Sequence, residues 1–362
     1  MARLSDFQAA ILEESLLYLI RVCGYKEVGR DRIPFDNTLE AHRAGMGIAV
    51  KGRGSSHQVD CIGDYIYTPP LCNPIRLLGE TKFYGIRDNG SPNKVGIGDI
   101  RDAVGLLKDV SEFFSRGNNN NISRRFSYQS VFFSATGFSE EAQDMAYAHD
   151  INLISAYGGP NLMNIVNRIR ELEIDDFNVD GNADFSIRGF RDSFRSRLRG
   201  GPQIADEGNP NERIRRIIQS VIDLDKLFLG TIDNRLTIMM IPAFGNEIWL
   251  QLVELALAGI PVPIVLRWND QPNQSGDLVF RIETHIRTNG MRNELFHFLV
   301  PQEILKNFLR DGYLGENEAL NMKEQYFSKI SVPLVFEGTF SILKLELNME
   351  WINEIRTRLN NR

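Results

Sequence analysis

Asp60, Glu80 and Lys82 have the residue types and spacing to bind a divalent metal and cut a phosphodiester bond. From Ile75 to Tyr84 the side chains alternate between two faces, so Glu80 and Lys82 point the same way from one strand. The stretch from Gln58 to Ile66 is also β-like, bounded by Gly52-Arg53-Gly54-Ser55-Ser56 before it and Thr68-Pro69-Pro70 after it. Two neighbouring strands would place Asp60 beside Glu80. Mg2+ takes hard oxygen ligands and keeps several waters, so two carboxylates, joined by the backbone carbonyl of Thr81, make a sufficient protein share; Mn2+ can substitute. Lys82 would then stabilise charge developing in the transition state. The plainer alternative is a solvated strand face carrying an ordinary Glu-Lys pair.

Elements on either side must hold these residues in place. A helix over about residues 5 to 23 carries an apolar stripe of Leu12, Leu16, Leu19, Ile20 and Cys23. Glu13 falls at the edge of that stripe, and Glu14 falls on the polar side near Arg21. An acid on the margin of a buried face needs a partner, so Glu13 is the candidate metal ligand and Glu14 is expected to be solvated. Glu13 could instead snorkel to water or pair with Lys82. β-Rich structure follows to about residue 85, then a helix near 98 to 115 and an Asn-rich loop, Gly117-Asn118-Asn119-Asn120-Asn121. A strand near 129 to 135, a helix capped by Ser139 and a strand near 151 to 155 complete a mixed sheet flanked by helices.

These segments resemble the PD-(D/E)xK nuclease superfamily, and within it the Mrr-type restriction endonuclease catalytic domain. The likeness is carried by Leu12-Glu13 leading to Gly24-Tyr25, Asp60 with Glu80-Thr81-Lys82, and Val95-Gly96-Ile97-Gly98-Asp99-Ile100. It continues in Val131 to Ser139 with Ala142 and Ala146, and in Ile151 to Ile154. It implies a restriction-endonuclease-like core over residues 1–160 and a metal-dependent endodeoxyribonuclease of restriction or anti-phage type. In that reading Asp60 and Glu80 hold Mg2+ and Lys82 assists the attacking hydroxide. Mrr proteins often carry Gln where Glu80 stands, and their glycine-rich approach to the aspartate is here Ser55-Ser56-His57-Gln58. Palindromic cutting further implies a homodimer. A structure-selective repair nuclease of Holliday-junction type, or a binding module that has lost cleavage, would share the same residues.

The chain carries 41 Lys and Arg against 47 Asp and Glu, a net charge of −6, so contacts to DNA must come from local positive charge. Lys51, Arg53, Ser55 and His57 lie in a glycine-rich stretch that would either approach a phosphate or form a hairpin turn. Arg188, Arg191, Arg195, Arg197 and Arg199, interleaved with Phe185, Phe190 and Phe194, would form either a nucleic-acid surface or an amphipathic segment with the Phe side buried. Cys23, Cys61 and Cys72 suit reduced thiols, and with His57 they lack zinc spacing. No transmembrane-length apolar run or signal peptide is present, which implies a cytoplasmic protein with no membrane partner.

The length and 43% hydrophobic content favour two domains, with a boundary at Gly158-Gly159-Pro160. Residues 161–362 read as a C-terminal α/β or α+β unit for target recognition, dimerisation or sensing an activating ligand or partner. Its expected elements are a strand at 236–241, a helix at 248–257, a hairpin from Pro263 to Glu283, a helix near 294 to 310, strands near 332–336 and 340–347, and a terminal helix at 349–360.

Overall fold

The computed structural model describes residues 3–42, 47–68, 71–87, 89–113, 125–156, 160–177, 187–200, 212–223, 228–232, 236–268, 279–288, 291–299 and 316–361. These form two compact units, Met1–Asp225 and Lys226–Arg362. The first unit therefore extends well past the boundary expected at residue 160; Gly158 and Gly159 lie outside the described residues.

The first unit opens with α1 (Leu4–Val22), β1 (Tyr25–Glu27), β2 (Leu39–Ala41), β3 (Ile48–Lys51), β4 (Ser56–Gln58), β5 (Cys61–Tyr65) and β6 (Ile75–Lys82). It continues with α2 (Ile97–Ser111), β7 (Ser127–Ser134), α3 (Glu140–Ala148) and β8 (Ile151–Ser155), and ends with α4 (Pro160–Arg170), α5 (Ile187–Leu198) and α6 (Glu212–Ile222). Five strands form a sheet in the order β1-β5-β6-β7-β8. β1, β5 and β6 are antiparallel neighbours, whereas β6, β7 and β8 run parallel. Parallel strands are covered on both faces, and Val131, Phe132 and Phe133 of β7 are all buried.

The register of this sheet sets the site. Cys61 pairs with Gly79, which places Asp60, one residue before β5, beside Glu80. A Cβ on Gly79 would lie 2.1 Å from Cys61 Sγ and 3.3 Å from Leu16 of α1. A side chain cannot be accommodated there, so glycine is required for α1 and β5 to close on β6. On the opposite face Phe132 packs with Ile100, Ala103, Ala142 and Ala146 of α2 and α3. Ser139 caps α3, its Oγ accepting from the Ala142 N–H.

Strands β2, β3 and β4 make a separate three-stranded sheet. The fully buried Arg76 of β6 ties its flank to the main sheet. Its Nε donates to Asp64, its Nη1 to Thr38 and its Nη2 to Asp36, while the guanidinium lies 3.7 Å over the Phe126 ring. A buried cation is tolerable only when every donor is answered in this way. Burial alone would lower the Arg76 pKa; Asp64 and Asp36 outweigh it and hold it raised.

The second unit overturns the fold class expected from the sequence. It comprises β9 (Phe228–Ile232), β10 (Leu236–Pro242), α7 (Asn246–Leu257), β11 (Val262–Trp268), β12 (Val279–Thr288) and β13 (Met291–Leu299), then α8 (Glu316–Tyr326), β14 (Lys329–Phe336), β15 (Thr339–Leu347) and α9 (Met349–Asn360). Its seven strands close into a barrel, β10-β13-β12-β11-β15-β14-β9. A restriction-endonuclease-like core followed by an ordinary α/β or α+β unit contains no such barrel, so that description of the chain is corrected here. Met240, Phe280, Ile282, Phe296, Phe298, Phe327, Ile330 and Leu345 fill the barrel's core. Closure also removes the exposed sheet edges that an open sheet would carry.

The hairpin expected around residues 263 to 283 is present as β11 and β12, and the terminal strands and helix stand where the sequence placed them. The helix expected near 294 to 310 is replaced over its first part by β13; residues 300–310 lie outside the described residues. The Asn-rich loop, Gly45 and the loop after Trp268 also lie outside them.

Candidate active site

Asp60 is fixed by β6. Its Oδ2 accepts from the Thr81 N–H at 2.7 Å and from the Thr81 hydroxyl at 3.1 Å, which leaves Oδ1 uncommitted among the described residues. Thr81 thus holds the aspartate in place by its N–H and hydroxyl. Two residues of strand period carry Glu80 and Lys82 to the same face, and Lys82 Nζ stands 4.0 Å from Glu80 Oε2 and 3.5 Å from Asp99 Oδ1. Asp99 sits in the first turn of α2, where it also accepts from the Tyr84 hydroxyl at 3.3 Å. Burial would lower the Lys82 pKa, but Glu80 and Asp99 outweigh it and hold the ammonium charged.

The carboxylates repel one another. Burial and then Asp60 push Glu80 up to about 8, with Glu13 and Asp99 adding to the rise and Lys82 opposing it. Burial and Asp60 likewise push Glu13 up to about 7, against the pull of Arg191. Glu13, Asp60, Glu80 and Asp99 face two cations, Lys82 and Arg191, so full ionisation leaves two surplus negative charges. One divalent cation would balance them. The donor set is made of hard carboxylate oxygens, which suits Mg2+ or Mn2+ and not a thiolate-seeking metal. Among the described residues no three His, Cys, Asp or Glu side chains converge into a preformed cage. Asp60 and Glu80 would therefore hold the ion with water filling the rest of its shell, and Glu13 would act from its margin.

Glu14 departs from its expected place. It is 1% exposed, because α5 covers the side of α1 that the helical phase assigns to water. Arg191 and Arg195 of α5 and Arg199 just after it recur every four residues and meet acids in succession: Arg191 pairs with Glu13, Arg195 with Glu14 and Arg199 with Glu27. Arg195 donates from both Nε and Nη2 to Glu14 at 2.7 Å, and its Nη1 lies 3.3 Å from Glu27. Phe190 and Phe194 are buried with Phe7 and Phe177 on a stripe of the helix next to the arginines. The arginine-rich segment is thus amphipathic, with two of its proposed DNA-contacting residues, Arg195 and Arg199, engaged by acids of the same unit. The charge of Arg197 is disfavoured by burial and by Arg215.

The glycine-rich stretch is a hairpin turn between β3 and β4, pinned to α2. Asp109 accepts from the Gly54 and Ser55 N–H groups, and His57 Nε2 lies 2.7 Å from it. A Cβ on Gly52 would stand 2.0 Å from Asp109 Oδ2, so only glycine admits that carboxylate. Arg53 pairs with Glu112 at 2.6 Å, while Lys51, at the end of β3, is half-buried. Ser55, His57 and Asp109 are not a nucleophilic triad. Ser55 Oγ and Asp109 both approach the same ring nitrogen, so the ring cannot relay a proton between them.

The structure therefore brings together Glu13, Asp60, Glu80, Thr81 and Lys82. It places Lys51, Arg53, Ser55 and His57 on the hairpin, Arg195 and Arg197 on α5, and Arg199 in the turn that follows it. Sequence reasoning missed Asp99, whose signal is an acid in the first turn of the helix after the Glu-x-Lys strand. It also missed the pairing of Arg191 with Glu13.

No family model and no curated protein matches the chain. A crystal structure titled as a protein of unknown function aligns with 60% of this chain and 98% of its own length, at 15% identity and a TM-score of 0.34. At that level the likeness bears on neither fold nor activity.

Proposed function

We propose that the chain is a metal-dependent endodeoxyribonuclease that hydrolyses DNA phosphodiester bonds, in the manner of the PD-(D/E)xK nucleases and in a defence role against foreign DNA. The observation that carries this reading is the unrelieved carboxylate group: Glu13 and Glu80 are both pushed toward or beyond neutrality by burial and by Asp60, in reach of an ammonium held between two acids. A site that serves only stability has no reason to keep such repulsion. Mg2+ bound there supplies Lewis-acid stabilisation of negative charge on the phosphoryl group.

The protein's own residues supply the rest. Thr81 keeps Asp60 turned toward the site by two hydrogen bonds to one oxygen. Glu80, whose raised pKa shows how strongly its charge is opposed in the metal-free site, would give up its proton when Mg2+ binds and hold the ion together with Asp60. Lys82, steered by Asp99, faces the place where charge develops on the phosphoryl oxygens, and it remains protonated throughout.

Incubation of supercoiled plasmid and linear duplex with the protein tests this directly. Cleavage in Mg2+ or Mn2+ that EDTA abolishes is the expected outcome. Undiminished cleavage in EDTA, or no cleavage of plasmid, linear or branched DNA in either metal, modified or unmodified, would contradict the proposal.

A further inference from the structure

Arg191 and Arg195 sit one turn apart on the same stripe of α5, yet their guanidinium groups are used differently. Arg195 is spent: Nε and Nη2 both donate to Glu14 and Nη1 lies 3.3 Å from Glu27. Arg191 gives only Nη2, to Glu13. Its Nε is shut away from water and meets no hydrogen-bond acceptor among the described residues, although its side chain as a whole is one-third exposed. A buried donor left unanswered is costly, and here it stands beside the acid that couples to Asp60 and Glu80. An arginine with one arm on a fixed carboxylate, a partly exposed side chain and Nη1 uncommitted among the described residues can donate to a phosphate oxygen by a charge-assisted hydrogen bond.

We infer that Arg191 is a phosphate-binding residue of this site, holding Glu13 with Nη2 and donating from Nη1 to a non-bridging oxygen of the DNA backbone. The inference rests on the nuclease reading and deepens it. Glu13 orients the guanidinium; the incoming phosphate meets Nη1 and brings a negative charge to a cation that otherwise neutralises only part of the carboxylate group. Arg195 and Arg199, already paired, hold α5 in place so that Arg191 is presented at a fixed distance.

The test combines affinity and cleavage, so that the two readings can fail separately. Anisotropy of a fluorescent 20-base-pair duplex in Ca2+ reads binding, and plasmid nicking in Mg2+ reads catalysis. Arg191→Ala should weaken duplex affinity by about tenfold or more, as loss of a charge-assisted hydrogen bond predicts, and should slow nicking by about a hundredfold. Arg191→Lys, which keeps the charge and can still pair with Glu13, should show an affinity loss smaller than that of Arg191→Ala. Arg358→Ala, an equal loss of charge on the last helix of the second unit, should change neither readout.

If Asp60→Asn and Glu80→Gln stop nicking while Arg191→Ala leaves affinity and nicking intact, the inference is wrong and the nuclease reading stands. If Arg191→Ala slows nicking without weakening the duplex, Arg191 merely positions Glu13 and the inference is overturned. If Asp60→Asn and Glu80→Gln do not affect nicking, the nuclease reading itself fails, whatever Arg191 does. Thermal unfolding of each variant separates these outcomes from misfolding, with Arg191→Lys carrying the test should Arg191→Ala prove unstable.

Discussion

Each residue at the site is held by a neighbour with an identifiable cost. Glu80, pushed up to about 8 by burial and Asp60, binds a proton in the folded protein at pH values where an unfolded glutamate, with a pKa of about 4.3, does not. The folded state therefore carries more protons than the unfolded state through that window, and stability must fall as pH rises from about 4 to 8. In metal-free protein the unfolding midpoint should drop across this range. Glu80→Gln should flatten the profile, as should saturating Mg2+, which replaces the proton as the charge that relieves the site. A wild-type midpoint that rises with pH toward 8 would show that the group is not strained in this way. Gly79 makes a second prediction. An alanine there meets Cys61 Sγ at 2.1 Å, so Gly79→Ala should destabilise by roughly 1–3 kcal/mol, and adding Cys61→Ala should recover part of the loss in a urea titration. The Asp60, Glu80 and Lys82 group was readable because strand alternation fixes faces over a few residues. Asp99 was not, because its approach to Lys82 depends on how α2 returns to the sheet after residues whose path local periodicity does not set.

At the scale of elements, α1 illustrates both the reach and the limit of pattern. Its apolar stripe predicts which side meets the sheet, and Leu12, Leu16, Leu19 and Ile20 are buried accordingly. The same phase puts Glu14 in water, whereas α5 lies over that side and answers the carboxylate with a bidentate arginine. No helical period can announce a partner some 180 residues away; only the matched spacing of three arginines along and just after α5 hints that something acidic must face them. Removing one partner of such a buried pair strands the other, at roughly 3–5 kcal/mol. Arg195→Ala should therefore lower unfolding stability by several kcal/mol. Glu14→Gln combined with Arg195→Ala should cost less than the two changes summed; strict additivity would mean the pair is not coupled. The substitution of a strand for the expected helix near residue 294 has a local cause. Phe296 pairs with Ile282 but Glu294 with Glu283, so Leu295 is an extra residue in β13 that places two buried side chains, Leu295 and Phe296, in succession and interrupts the alternation.

For the whole molecule, the division after Asp225 assigns α4, α5 and α6 to the unit that holds the carboxylates, and leaves a closed barrel with its own apolar core as the second unit. Residues 226–362 expressed alone should fold cooperatively, as a barrel with no open edge and a continuous core permits; a non-cooperative thermal transition would contradict this. Closure was not legible from sequence, since pairings such as β9 with β14, or β11 with β15 in parallel, join segments far apart in the chain. No helix among the described residues is long and apolar enough to cross a membrane. The expected homodimer predicts twice the chain mass by light scattering in the presence of DNA, and a monomer under all conditions would count against paired active sites.

The central claim is that Asp60, Glu80 and Lys82 form one hydrolytic site. Its most direct test is the rate of plasmid nicking in Mg2+ by the wild type beside Asp60→Asn, Glu80→Gln and Lys82→Ala, each verified as folded. Each substitution should lower the rate by at least about a hundredfold, and nicking that survives all three unchanged would contradict the account.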